Sequence, residues 1–128
     1  MKKLIPILLA FALYSCDNSE TIALERSNPT SYLSIEMEPW SLNSDHIDGT
    51  LINNASKTDY TNTVLIVQYH SEDGTKLGTE RKTEYNILKA GESRLFKYPI
   101  NTPASTQNLN VIVERAQFID WECKEDCN

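Results

Sequence analysis

Few residues in this chain can do covalent or metal chemistry. Cysteine stands at Cys16, Cys123 and Cys127, and histidine at His46 and His70. Cys123 and Cys127 lie in Trp121-Glu122-Cys123-Lys124-Glu125-Asp126-Cys127-Asn128. A four-residue offset can meet the Cα spacing of a disulfide, although a regular helix would strain it. The same thiols, with Glu122 or Asp126, can offer ligands to a thiophilic ion. Zinc sites usually take four ligands, and C-x₃-C without a second pair is a weak pattern. A redox pair wants C-x-x-C on a βαβ frame, and neither occurs here. His46 and His70 can ligate a metal or serve as a general base, but each falls in a strand-like stretch where a surface histidine is ordinary. There is no G-x-S-x-G, H-E-x-x-H, phosphate-binding loop or calcium loop. Carboxylate pairs carry no meaning among 18 acidic residues. The expectation is no catalytic residue, no cofactor and no metal.

The chemistry of Cys16 depends on what precedes it. Met1-Lys2-Lys3 is a positive start, Leu4 to Leu13 is apolar with Pro6 inside it, and Tyr14-Ser15 leads to Cys16. A span of about 30 Å of hydrocarbon takes about 20 residues, so this run reads as a signal peptide over residues 1–15. Leu13-Tyr14-Ser15-Cys16 resembles the lipobox of bacterial lipoproteins, with an aliphatic residue three before the cysteine and a small one directly before it. The resemblance implies cleavage before Cys16, diacylglycerol on its sulfur and a further acyl chain, such as palmitate, on its amine. Each buried CH₂ contributes about 0.8 kcal/mol, so two or three chains anchor stably. The alternative is an ordinary secretory signal with Cys16 free or disulfide-bonded. Either way the compartment is the cell envelope and oxidising. With Cys16 taken by lipid, Cys123 and Cys127 form an even pair, and a disulfide is the expectation. Asp17 and Glu20 can act as sorting residues in opposite senses in different bacteria. Inner or outer membrane, periplasmic or outward face, therefore stay open.

Without Lys2 and Lys3, ten basic residues face 18 acidic ones, a net charge of −8 over residues 16–128. That length suits one domain with one modest core. The balance disfavours nucleic acid, which rewards clustered Lys and Arg, and adsorption to an anionic lipid surface. It suits solubility or a basic partner.

The elements that must position these residues follow period two. Residues 16–30 are polar and lack periodicity, which reads as a lipidated cysteine and a flexible tether. Leu33, Ile35 and Met37 alternate with polar residues until Pro39. His46 to Asn53 puts Ile47, Gly49 and Leu51 on one face. Thr63 to His70 is apolar on both faces, like a central strand. Asp73-Gly74 marks a hairpin turn. Lys76 to Tyr85 is polar and Thr-rich, like an exposed strand open to edge pairing. Ser93 to Ile100 alternates, and Leu109 to Phe118 closes the series. Six or seven strands with turns every eight to twelve residues predict an all-β antiparallel sandwich over residues 31–128, with a Cys-containing tail. Trp40 is expected in the core. Trp121 is a partner-contact candidate, or else folds with Phe118 and Ile119 over a sandwich end.

From Gly49-Thr50-Leu51-Ile52-Asn53-Asn54 to Val111-Ile112-Val113 the chain resembles an FxLYD-type domain. The resemblance rests on Gly49 to Asn53 as G-x-[aliphatic]-x-N, an apolar strand ending in Tyr69, Asp73-Gly74, Leu88-Lys89-Ala90-Gly91-Glu92 and Phe96. In Ile66-Val67-Gln68-Tyr69-His70 the tyrosine of the naming motif is kept, while His70 stands where an aspartate is expected. The resemblance implies an immunoglobulin-like sandwich of exported bacterial proteins, usually a spacer or interaction module. The function expected is a non-catalytic binding or accessory lipoprotein with a protein partner in the envelope. Two alternatives are an inhibitor or immunity-type lipoprotein against a basic toxin or hydrolase, and a metal or redox accessory protein using Cys123 and Cys127.

Overall fold

A computed structural model describes residues 19–121 of the chain. Six strands follow in order: β1 (Leu33–Met37), β2 (His46–Asn53), β3 (Tyr60–His70), β4 (Lys76–Glu84), β5 (Ser93–Pro99) and β6 (Asn108–Phe118). They form two antiparallel sheets, ordered β1-β2-β5 and β4-β3-β6. The chain is thus the all-β sandwich that the alternation predicts, with six strands among the described residues.

Period-two patterning explains the layers. Along β2 burial alternates at every residue, with Ile47, Gly49, Leu51 and Asn53 inward. Gly49 pairs with Phe96 of β5. A Cβ there would come within 2.7 Å of both the Phe96 ring and the Glu36 carbonyl oxygen, so glycine lets the ring lie on the backbone. The central strand β3 is buried on both faces. Leu65, Val67 and Tyr69 enter the core between the sheets. On the opposite face Ile66 lies between Arg81 of β4 and Ile112 of β6. Arg81 spans β3 to grip Glu114 with Nε and Nη2, one edge of its guanidinium, at 2.8 to 3.1 Å. Its aliphatic stem can cover the apolar row it crosses, as long charged side chains do.

β4 is an edge strand that pairs with β3 alone. Its side chains are not simply solvated. Glu80 accepts the Tyr69 hydroxyl at 2.5 Å and the Asn101 amide at 2.7 Å, and pairs with Lys82 at 3.2 Å. Glu84 accepts the Tyr98 hydroxyl of the other sheet at 3.0 Å. Burial pushes the Glu80 carboxyl up, but the bonds from Tyr69, Asn101 and Lys82 outweigh it and hold its pKa below the usual range.

The flexible tether expected at residues 16–30 is corrected over its described part. Residues 19–27 are helical, here α1, and Pro29–Tyr32 forms a short helix, α2. α1 docks through Glu25, which is 1% exposed. Its carboxylate accepts the Ser56 amide (2.7 Å) and hydroxyl (3.0 Å), the Lys57 amide (3.1 Å) and the Thr58 hydroxyl (2.8 Å). Its backbone carbonyl accepts the Tyr60 hydroxyl at 2.6 Å. Burial raises the Glu25 pKa, and the four bonds to its carboxylate more than offset this and lower it. A polar segment can therefore order without an apolar stripe, because one charge finds enough donors to replace water. Among the described residues no helix is long and apolar enough to cross a membrane.

Candidate binding surface

The two ends of the sandwich are built differently. The first carries α1, the loop 54–59, the connection 85–92 and the exit of β6. Asn53, fully buried, stitches it together. Its side-chain amide donates to the carbonyls of Thr58 (2.9 Å) and Leu88 (3.0 Å), and its oxygen accepts the Ala55 amide (2.9 Å). Asp59 makes a second knot. Its carboxylate accepts the Ala90 amide at 2.9 Å and the Trp121 indole at 2.8 Å, and its carbonyl accepts the Ile119 amide at 2.9 Å. Arg26 of α1 reaches Asp120 at 3.3 Å and stands over the Phe118 ring at 5.1 Å. Trp121 thus sits on this end beside Ile22 and Lys57, and 44% of it stays exposed.

The opposite end gathers the loop 38–45, the turn 71–75 and the loop 100–107. With β3 running 11 residues, it lies about 36 Å from the first end at the ordinary rise of a strand. A concavity of about 450 Å³ opens there, lined by Ser71, Glu72, Asp73, Ser105 and Gln107. The turn is rigid at its tip. Asp73 accepts the Ser71 hydroxyl and the Thr75 amide, and Gly74 takes φ +87°. Those partners hold the Asp73 carboxyl down at about 2. Ser105 adopts φ +73°, a left-handed conformation uncommon for a residue with a Cβ. Glu38, Asp45, Glu72 and Asp73 share this end with Leu42, which is 54% exposed. The concavity is a shallow, polar surface with two carboxylates, and it can hold hydrogen-bond donors and cations of a partner.

Both histidines stand at this end, one opening β2 and one closing β3. His46 contacts Asp45 at 3.0 Å and Asp48 at 3.5 Å. No group of three or more His, Cys, Asp or Glu suited to a metal exists among the described residues. Trp40 packs against the core, as expected. Cys16, Cys123, Cys127 and the 1–15 segment lie outside the described residues. Sequence reasoning missed Glu25 and Asp59 altogether. Asn53 was marked through its motif, although not for its role.

No family model matches the chain, and no curated protein does. Among solved structures, a DUF1425 family member from Shewanella sp. pv-4 is similar at 11% identity with a TM-score of 0.46, over 65% of this chain and 77% of that one. A likeness at that level says nothing of what this chain does.

Proposed function

We propose that the chain is a membrane-anchored extracytoplasmic binding domain without catalytic activity, lipidated at Cys16 and directed at a protein partner in the cell envelope. One observation carries the reading. Residues 19–27 form a helix locked to one end by Glu25, which supports an anchor on that side and a partner at the opposite end with its concavity. The lipobox-like Leu13-Tyr14-Ser15-Cys16 and the FxLYD-type pattern around Gly49 to Asn53 support the same reading. Glu72 and Asp73 in that concavity, with Glu38 and Asp45 in the loop 38–45 of the same end, favour a second, narrower form: an inhibitor or immunity-type lipoprotein whose target is basic. Metal or redox work by Cys123 and Cys127 is the third form.

Photo-crosslinking in living cells tests the binding surface. A benzophenone residue at Glu72 or Ser105 should trap a discrete protein partner that the same group at Asn86 does not. Equal capture from both ends, or none, would remove the binding role from the concavity. Labelled palmitate should enter the wild-type chain and not Cys16→Ser.

A further inference from the structure

The exposed apolar side chains are unevenly shared between the two ends. Leu24 (53% exposed), Tyr85 (74%), Ile87, Phe118 and Trp121 (44%) belong to the α1 end and Leu42 to the other, while Leu95 (80%) and Ile112 lie mid-strand on β5 and β6. Lys57 and Lys89 are exposed beside them. Of the described carboxylates at the α1 end, Glu25 bonds with the loop 56–58, Asp59 with Ala90 and Trp121, Glu92 with Lys89 and Arg94, and Asp120 with Arg26, while Glu20 is exposed on α1. The negative charge of the opposite end is carried on Glu38, Asp45, Glu72 and Asp73.

Chain length names the occupant. Ser19, already helical, stands three residues beyond Cys16, a reach of at most about 10 Å. Glu25 then fixes α1 to the sandwich. An end so close to acyl chains, bearing Trp, Tyr, Leu and Lys, has the side chains that settle at the headgroup layer. Indole and phenol put an apolar body in and a polar tip out, and lysine stems lie along apolar surface with the ammonium in water. We propose that the α1 end rests on the bilayer surface, with Leu24, Tyr85 and Trp121 in the headgroup layer. This inference rests on the lipid-anchor reading and adds orientation to it. The chain's acidic balance works against an anionic surface, so the bilayer meant here is a zwitterionic one.

The two tryptophans, Trp40 and Trp121, lie toward opposite ends and serve as the reporters. The mature chain, with Cys123→Ser and Cys127→Ser, is coupled through the Cys16 thiol to a maleimide-headed lipid. It is then placed in phosphatidylcholine vesicles containing a headgroup-level nitroxide lipid. In Trp40→Phe, emission from Trp121 should fall roughly twofold on adding the nitroxide, as expected of an interfacial indole. In Trp121→Phe, Trp40 should be unaffected. A second pair of changes, Leu24→Glu with Tyr85→Glu in the Trp40→Phe background, should restore most of the Trp121 emission. Vesicle flotation reads the chemical anchor separately. Floating protein with Trp121 unquenched, or with both tryptophans quenched alike, overturns the orientation. Absence of palmitate at Cys16 in cells overturns the anchor reading instead.

Discussion

Glu25 carries the attachment of α1, and its environment sets how that attachment responds to pH. Its carboxyl is depressed relative to the unfolded chain, where a glutamate titrates near 4.3. The stability it adds is therefore complete above about pH 4.3 and is lost as pH falls through the lower folded value. Tyr60, which donates to the Glu25 carbonyl, shifts the other way: burial, then the nearby Glu25 charge, pushes it up to about 12. Its contribution is complete below pH 10 and is lost between about 10 and 12. Protection of the α1 amides, taken relative to the intrinsic exchange rate at each pH, should thus fall at both extremes, while Leu65 and Val67 in β3 keep theirs. Glu25→Gln should destabilise the protein by about 1–3 kcal/mol in urea, the range for losing bonds to a buried charged group, and flatten the acid limb. An acid limb unchanged in Glu25→Gln would transfer the effect to Glu80. Asn53→Ala removes the side-chain partner of the buried Thr58 carbonyl and of the Ala55 amide, and leaves the Leu88 carbonyl with the Tyr60 amide alone. It should cost about 3 kcal/mol or more, and Asn53→Asp should not restore it, because a carboxylate cannot donate to either carbonyl.

At the level of the elements, β2 and β5 depend on a close approach. Gly49→Ala should destabilise by about 1–3 kcal/mol through overpacking against Phe96 and the Glu36 carbonyl. Phe96→Leu added to it should recover only part, since the carbonyl does not move. Full recovery, measured by thermal melting, would locate the clash in the ring alone. The strands were legible because their cause is local. Alternation in β2 and β5, apolar residues on both faces of β3 and Asp73-Gly74 at the turn each follow from neighbouring residues in the sequence. α1 was not legible. Its burial rests on one carboxylate meeting a loop 31 to 33 residues away, and Glu25 is one of 18 acidic residues with nothing in its own neighbourhood to mark it. The half-buried polar face of β4 escaped for the same reason, because Glu80 and Glu84 read as solvated until Tyr69 and Tyr98 are seen to reach them. At the binding surface the two histidines were visible as residues, while the concavity joins a turn and a loop more than 30 residues apart.

For the whole molecule, the cysteines give the simplest expectation. Non-reduced mature protein should weigh two hydrogens less than reduced protein, with trypsin leaving Cys123 and Cys127 in one linked peptide set. Bound zinc in place of that mass loss would support the metal reading. The contrast between the ends has a further consequence for how the sequence can change. Around Asn53 and Asp59 every connection is bonded to another connection, so a residue inserted at 54–59 or 85–92 displaces several partners at once. The tips at 41–44 and 71–75 bond within themselves, through Ser41 with Ser44 and Ser71 with Asp73. Loops of new length or composition can be grafted there at little cost to folding, so one end is free to diversify while the other stays constant. As a scaffold, the protein accepts new recognition at the loops opposite α1 without disturbing how that helix docks.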